Sequence, residues 1–222
     1  LNQNMESLGG DAANITVMGE SAGASNIAYL LVSPAASGLF RRVIHQSAGW
    51  AVMGRTTREE HLLRGVELQK RLFDNGGSIE QMRKVPAGDL LRIAETVYEG
   101  HFFDPVVDGQ SLVSSVNEGL LAQRFPPVDL LIGSNADEWL MYLEEGQSVD
   151  QWMRENLTAS QAQAVKPLLP VGTDAAQTLD TLITAYNFVC PSTFLAEQVG
   201  RRGGRSWFYY FSRVREGELA QS

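Results

Sequence analysis

Ile15-Thr16-Val17-Met18-Gly19-Glu20-Ser21-Ala22-Gly23 is the stretch that decides the fold of this chain. Its first four residues are apolar and largely β-branched, the pattern of a short buried strand, and Gly9-Gly10-Asp11 supplies a turn ahead of them. Gly-x-Ser-x-Gly directly after a strand is the sequence form of a nucleophile elbow. The serine backbone is strained in such a turn. Glycine at positions 19 and 23 removes side chains that would collide, so the backbone crosses closely and aims the Ser21 hydroxyl outward. Downstream, Ala24, Ile27, Ala28 and Leu31 recur with helical spacing and form one apolar face. Ser33-Pro34 then ends the helix, because the residue before proline is pushed out of the α region. In a chain with 21 glycines the pentapeptide also arises by chance, and a serine that merely caps the helix N-terminus is the alternative. Strand, sharp turn and helix in that order favour the elbow.

Working outward, the 222 residues are 44% hydrophobic, enough to bury a substantial core in one or two domains. The formal net charge of −8 and the lack of a basic stripe argue against a nucleic-acid partner. No apolar run approaches the ~20 residues needed to span a bilayer. No spacing of metal ligands is visible, so neither metal nor organic cofactor is expected. The single cysteine, Cys190, excludes an internal disulfide and reads as a small buried apolar residue.

Arg42-Val43-Ile44-His45-Gln46-Ser47 reads as a second apolar strand. Residues 57–97 turn helical: Thr57 with Glu60 makes a capping box, and Leu62, Leu63, Val66, Leu68 and Leu72 form a broad apolar stripe. Asp74-Asn75-Gly76-Gly77 breaks this helix, and Asp89 leads into a second one carrying Leu90, Leu91, Ile93, Ala94 and Val97. Phe103 to Gly109 reads as an extended segment closed by a turn. Val128 to Gly133 is a compact run typical of a parallel strand buried on both faces. Residues 147–201 are helical again, and Arg205 to Phe211 closes as an aromatic strand. Strands separated by long helical stretches imply a mostly parallel α/β sheet. The helix-rich blocks at about 55–100 and 147–201 exceed simple crossovers and read as cap insertions.

In this order the chain resembles the type-B carboxylesterase and cholinesterase family of α/β-hydrolases. Leu8-Gly9-Gly10-Asp11, Asn14-Ile15-Thr16-Val17 and Gly19 to Ala24 match its elbow region. Ser33-Pro34, Gly38-Leu39-Phe40 and Ile44-His45-Gln46-Ser47 match the following helix end and strand. Pro105-Val106-Val107-Asp108-Gly109, Leu131 to Glu138 and Phe188-Val189-Cys190-Pro191 follow at suitable distances. The resemblance implies one partial α/β-hydrolase catalytic domain over 1–222, with a mostly parallel sheet and helical cap insertions. It also implies a small-molecule ester substrate, no cofactor, and a Ser-Glu-His triad.

Ser21 would be the nucleophile, and Ala22 would donate a backbone N–H to the oxyanion hole. Glu138, at the end of the strand running from 130 to 133, is the acid the family pattern favours, with adjacent Asp137 as its rival; both acids capping the next helix is the other reading. Glu20, Ser47 and Trp50 are candidates for residues beside the pocket, Ser47 because the family places a second serine near the acid. Trp139 stands where relatives often have glycine; with Trp50 it would bring bulky rings near the acyl or alcohol pocket. The triad histidine is missing. Chain order in this fold is serine, acid, histidine, yet His45, His61 and His101 all precede Glu138. The expectation is an internal piece of a longer catalytic domain, inactive alone and also lacking an upstream oxyanion loop. Compartment and oligomeric state stay open. Two rival functions are a catalytically silent cholinesterase-like interaction or adhesion module and an α/β-hydrolase cleaving another acyl bond.

Overall fold

The computed structural model describes residues 2–54, 57–74, 76–101 and 103–214. In chain order its regular elements are β1 (Thr16–Glu20), α1 (Ala22–Val32), β2 (Arg42–Gln46), α2 (Arg58–Leu72), α3 (Ile79–Met82), α4 (Ala87–Val97), α5 (Val116–Leu121), β3 (Asp129–Asn135), α6 (Val149–Asn156), α7 (Ala159–Val165), α8 (Ala175–Thr184), α9 (Cys190–Arg201) and β4 (Arg205–Phe211). The chain divides into two compact units, Leu1–Gly54 with Ser115–Ser222, and Arg55–Ser114.

In the first unit four strands form a parallel sheet in the order β1-β2-β3-β4. Parallel neighbours need a crossover, and α1 supplies it between β1 and β2. Side chains alternate across the pleat. Val17, Val43 and Leu130 stand in register on one face, and Gly19, His45 and Ile132 form the next row. Helix α5 contacts both α1 and α9, and Val43, Leu130 and Ile132 are essentially excluded from water. Each such branched side chain contributes about 1.5–3 kcal/mol by burial.

The opposite face differs from the expectation. Met18, Ile44, Leu131 and Trp207 stand in register across all four strands. Met18 is 68% exposed and Leu131 39%, so neither β1 nor β3 is buried on both faces. On the same side Ile44 is half-buried and Trp207 is exposed. The apolar composition of the strands reported their suitability for a two-sided environment, whereas burial depends on which helices reach the sheet.

Gly133 is needed by the close approach of β3 and β4. A Cβ there would run into the carbonyl oxygen and ring of its register partner Tyr209.

In the second unit α2 packs against α4. The Thr57–Glu60 capping box forms as expected: Glu60 Oε2 accepts the Thr57 N–H at 2.7 Å while Thr57 Oγ1 accepts the Glu60 N–H at 3.2 Å. On the predicted apolar stripe Leu68 and Leu72 are half-buried, whereas Leu62, Leu63 and Val66 stay exposed. Asn75 of the expected helix-breaking turn lies outside the described residues. Helix α4 starts at Ala87, two positions before the expected Asp89, which instead sits in its first turn where a carboxylate suits the helix dipole. Residues 103–109 make no strand among the described residues. Their closing turn is held by Asp108, whose carboxylate accepts the N–H groups of Gln110 and Leu112, both at 2.9 Å.

Candidate active site

Ser21 follows β1 immediately and precedes α1, with φ 52° and ψ −123°. A left-handed φ on a non-glycine residue costs roughly 1–3 kcal/mol and persists only where its surroundings impose it. Two bonds impose it here. The Ser21 N–H donates to the Gln46 carbonyl at 3.0 Å, and the Ser21 carbonyl accepts the Ser25 N–H at 2.9 Å. The Ser21 side chain makes no cap to α1, so its hydroxyl is not occupied as an N-cap.

The two elbow glycines are unequal. A Cβ at Gly19 would lie 2.5 Å from the Gly23 carbonyl carbon, whereas a Cβ at Gly23 meets nothing within 4 Å. The expectation that both remove colliding side chains is corrected: Gly19 alone makes room, because its α-carbon faces the backbone of the first helical turn. Ala22, the first residue of α1, has an N–H with no intrahelical acceptor. Glu20 ends β1 and is exposed.

Ser47 follows β2 at the same level, also with positive φ (55°), and is buried. Its N–H donates to the Gly133 carbonyl at 2.9 Å. Ser21, Ser47 and the loop after β3 therefore share the C-terminal edge of one parallel sheet, where α/β folds place their ligands. The ends of β1 and β3 are two strand spacings apart, about 10 Å. Among the described residues no hydrogen bond joins Ser21 to Glu138.

The loop after β3 separates the two acids. Glu138 turns back over the strand end, its Oε1 accepting the Asn135 N–H at 2.7 Å and its Oε2 the Asn135 side-chain amide at 3.3 Å. Asp137 instead faces α8 and accepts the Gln177 amide at 2.6 Å. Neither side chain caps the short 3₁₀ helix Leu140–Tyr142 that follows. Nearby Tyr210 sees Asp137, Asp180 and Glu138; burial first and these three carboxylates second push its phenol above the usual range.

An aromatic wall joins the two tryptophans. Phe188 meets Trp50 edge-on at 5.0 Å between ring centroids and lies 6.2 Å from Trp139, which in turn packs on Tyr142 at 5.0 Å. Phe188 belongs to a π-helical segment, Ala185–Val189, that links α8 to α9. Such widened turns recur at functional sites.

No histidine of the described chain bridges Ser21 and Glu138. His45 sits in β2, 2% exposed, with both ring nitrogens unpartnered. Burial lowers its pKa to about 4, which suits a packed neutral ring. His61 and His101 belong to the second unit, where His101 Nδ1 is 2.9 Å from Arg64 Nη2.

Cys190 is exposed, not buried as its composition-based reading had it. It lies on the wall of an apolar cavity of about 530 Å³ bordered by Val52, Leu168, Leu182, Tyr186 and Phe194. Neither Ser21 nor Glu138 lines this cavity. Among the described residues no group of side chains could hold a metal ion, and no helix is long and apolar enough to cross a membrane.

A family model described as the carboxylesterase family matches residues 1–220. The chain belongs to the carboxylesterase family. It is 30% identical over 247 residues to cholinesterase 2 of Branchiostoma lanceolatum, an alignment covering 95% of this chain and 72% of that protein. It is 31% identical over 154 residues to the para-nitrobenzyl esterase of Bacillus subtilis (strain 168), covering 66% of this chain and 31% of that one. Its fold superposes on the crystal structure of a Geobacillus stearothermophilus carboxylesterase at pH 6.2 with a TM-score of 0.81 and 29% identity. That match covers 98% of this chain and 47% of the other, so the chain spans about half the length of that carboxylesterase. The α/β-hydrolase fold that the family resemblance implied is thus the fold of this carboxylesterase-family chain.

Three residues of the site region were not singled out by sequence reasoning: Phe188 as the ring between the tryptophans, and Asp180 and Thr184 beneath the acid loop. A polar residue on the apolar face of α8 was the available signal for the last two, since an unpaired buried carboxyl is costly and must meet a donor.

Proposed function

We propose that this chain is part of a serine carboxylic-ester hydrolase with Ser21 as nucleophile. The observation that carries the reading is the strained Ser21 backbone, held between Gln46 and Ser25 with its hydroxyl left out of helix capping. In this reading Ser21 Oγ attacks the ester carbonyl carbon and its proton passes to an imidazole. The carbonyl oxygen becomes an oxyanion that the Ala22 N–H stabilises, a donor of a kind worth ~3–4 kcal/mol in the transition state. The tetrahedral species collapses, the alcohol leaves with the proton from the imidazolium, and the acyl group stays on Ser21. Water, deprotonated by the same imidazole, then releases the acid and restores the serine.

Glu138 is the acid in this reading, and the geometry supports it over Asp137. It sits at the end of β3 beside the same sheet edge as Ser21, whereas Asp137 is engaged by Gln177 on α8. The gap of about two strand spacings between Ser21 and the β3 end suits an imidazole bridging them. We take that imidazole to come from polypeptide outside 1–222, together with a second oxyanion donor. The relatives, which extend well beyond the matched region, support this. Trp50, Phe188 and Trp139 form a wall suited to apolar acyl or alcohol groups.

The test is fluorophosphonate labelling of the complete polypeptide that carries this chain, since only an activated serine reacts fast. The expected result is rapid labelling that maps to Ser21 and abolishes hydrolysis of activated esters. Absence of labelling would instead favour a silent interaction module, and faster cleavage of matched thioesters or amides would redirect the acyl class.

A further inference from the structure

We propose that Asp180 and Thr184 are positioning residues for the Glu138 carboxylate, holding the loop that carries it through two consecutive main-chain N–H groups. The two side chains are four residues apart on α8 and so share one helix face. Both are buried, Asp180 at 0% and Thr184 at 2% exposure. Asp180 Oδ1 accepts the Trp139 N–H at 2.7 Å, and Thr184 Oγ1 accepts the Glu138 N–H at 3.1 Å.

The same loop is tied on its other side by β4. Ala136 donates its N–H to the Phe211 carbonyl at 2.8 Å, and its carbonyl accepts the Tyr210 hydroxyl at 3.4 Å. Glu138 is thus the one residue whose carboxylate is turned back onto Asn135 while main-chain bonds hold the loop from both flanks. A loop tip free to rotate would swing that carboxylate by several ångströms. A displacement of about 1 Å in a catalytic constellation is enough to cost ~10²-fold in rate.

Asp180 is also expensive where it stands. Its Oδ2 is buried with no hydrogen-bond partner within bonding geometry, and burial first and the neighbouring Asp137 carboxylate second push its carboxyl above the usual range. A buried carboxyl with one orphaned oxygen is retained at a cost, since an apolar residue on that helix face would pack without penalty. Its donor is the N–H directly after Glu138, which gives the cost a use. The inference rests on Glu138 being the triad acid.

The experiment is a double-mutant cycle in the complete polypeptide, reading kcat per active site titrated with a fluorophosphonate, so that partly unfolded protein does not enter the rate. Thr184→Val keeps the shape and removes the acceptor, and Asp180→Leu does the same for Trp139. Each should lower kcat by about 10- to 100-fold with KM little changed. Thr184→Ser and Asp180→Asn keep an acceptor oxygen in place and should restore most of the rate. In a Glu138→Gln background Thr184→Val should add no further loss. Should Asp180→Leu not fold, the Thr184→Val and Thr184→Ser pair decides alone. If Glu138→Gln is costly but Thr184→Val is silent, the positioning inference is overturned and the acid stands. If Thr184→Val remains fully additive with Glu138→Gln, it acts elsewhere and the inference is again overturned. If Glu138→Gln is itself silent, the acid assignment fails and the positioning role fails with it.

Discussion

The Ser21 N–H donates to the Gln46 carbonyl at 3.0 Å, which carries the β1–β2 ladder one residue beyond the strand into a left-handed serine. The sheet thus supplies the force that keeps Ser21 in a conformation it would not adopt alone. Because the main chain does this, the hydroxyl is dispensable for the turn. Ser21→Ala in the complete polypeptide should leave unfolding unchanged and lower ester hydrolysis by about 10⁴–10⁶-fold in kcat. Paired urea titrations and steady-state rates check both halves; near-normal turnover by a folded variant would refute the nucleophile.

The elbow glycines should respond differently to the same change. At Gly19 an added Cβ lies 2.5 Å from the Gly23 carbonyl carbon, and such overpacking costs about 1–3 kcal/mol. At Gly23 the new methyl meets nothing within 4 Å, and an alanine in the first helical turn should stabilise by up to about 0.5–1 kcal/mol. Thermal or urea unfolding of Gly19→Ala and Gly23→Ala should therefore move in opposite directions.

The two neighbouring acids give a second contrast. Glu138→Gln keeps the shape that accepts the Asn135 N–H but removes the charge that would stabilise an imidazolium, so activity should fall by roughly 10²–10⁴-fold. Asp137→Asn changes a group bonded to Gln177 and beside the Asp180 carboxylate, and should do far less. Rates in the reverse order would make Asp137 the acid.

His45 makes the protein acid-sensitive. Burial lowers its pKa from 6.5 to about 4 in the folded state, while the unfolded chain titrates near 6.5. Between those values the unfolded state binds the extra proton, so stability falls as pH drops and the effect is complete below pH 4. The contribution is fully present above pH 6.5 and amounts to about 3 kcal/mol. Urea unfolding across this window should show that slope in the parent and lose it in His45→Leu.

Residues 1–222 produced alone should not turn over esters. Among the described residues no imidazole stands between Ser21 and Glu138, and an unassisted serine hydroxyl is a poor nucleophile at neutral pH. The outer edge of β1 pairs with no described strand, which also favours aggregation. Soluble, folded material assayed on an activated ester should give neither burst nor steady turnover. Ser21-dependent turnover would place one of the three internal histidines at the serine after all.

Much of this protein is legible in its amino-acid sequence. The Gly19-to-Gly23 pentapeptide behind a β-branched run located the elbow, because a strand-to-helix turn that tight leaves few residues acceptable. The Thr57–Glu60 box and the strand segments at 42–47, 128–133 and 205–211 were readable to within two residues for the same reason: each depends on residues near one another in the chain. Burial was not. Met18 and Leu131 are as apolar as Val43 and Leu130, yet they lie on the opposite face of the sheet and stay exposed.

What the sequence alone determined is thus the local chemistry: a serine in a forced turn, acids beyond a strand, and the periods that make strands and helices. The tertiary structure decided which groups meet across long separations. It set Glu138 and Trp139 on Thr184 and Asp180 of α8, turned Asp137 toward Gln177, and placed Phe188 between Trp50 and Trp139. Those pairings follow from how helices pack on a parallel sheet, and packing responds to volume and shape summed over many residues. No single spacing in the chain encodes that sum.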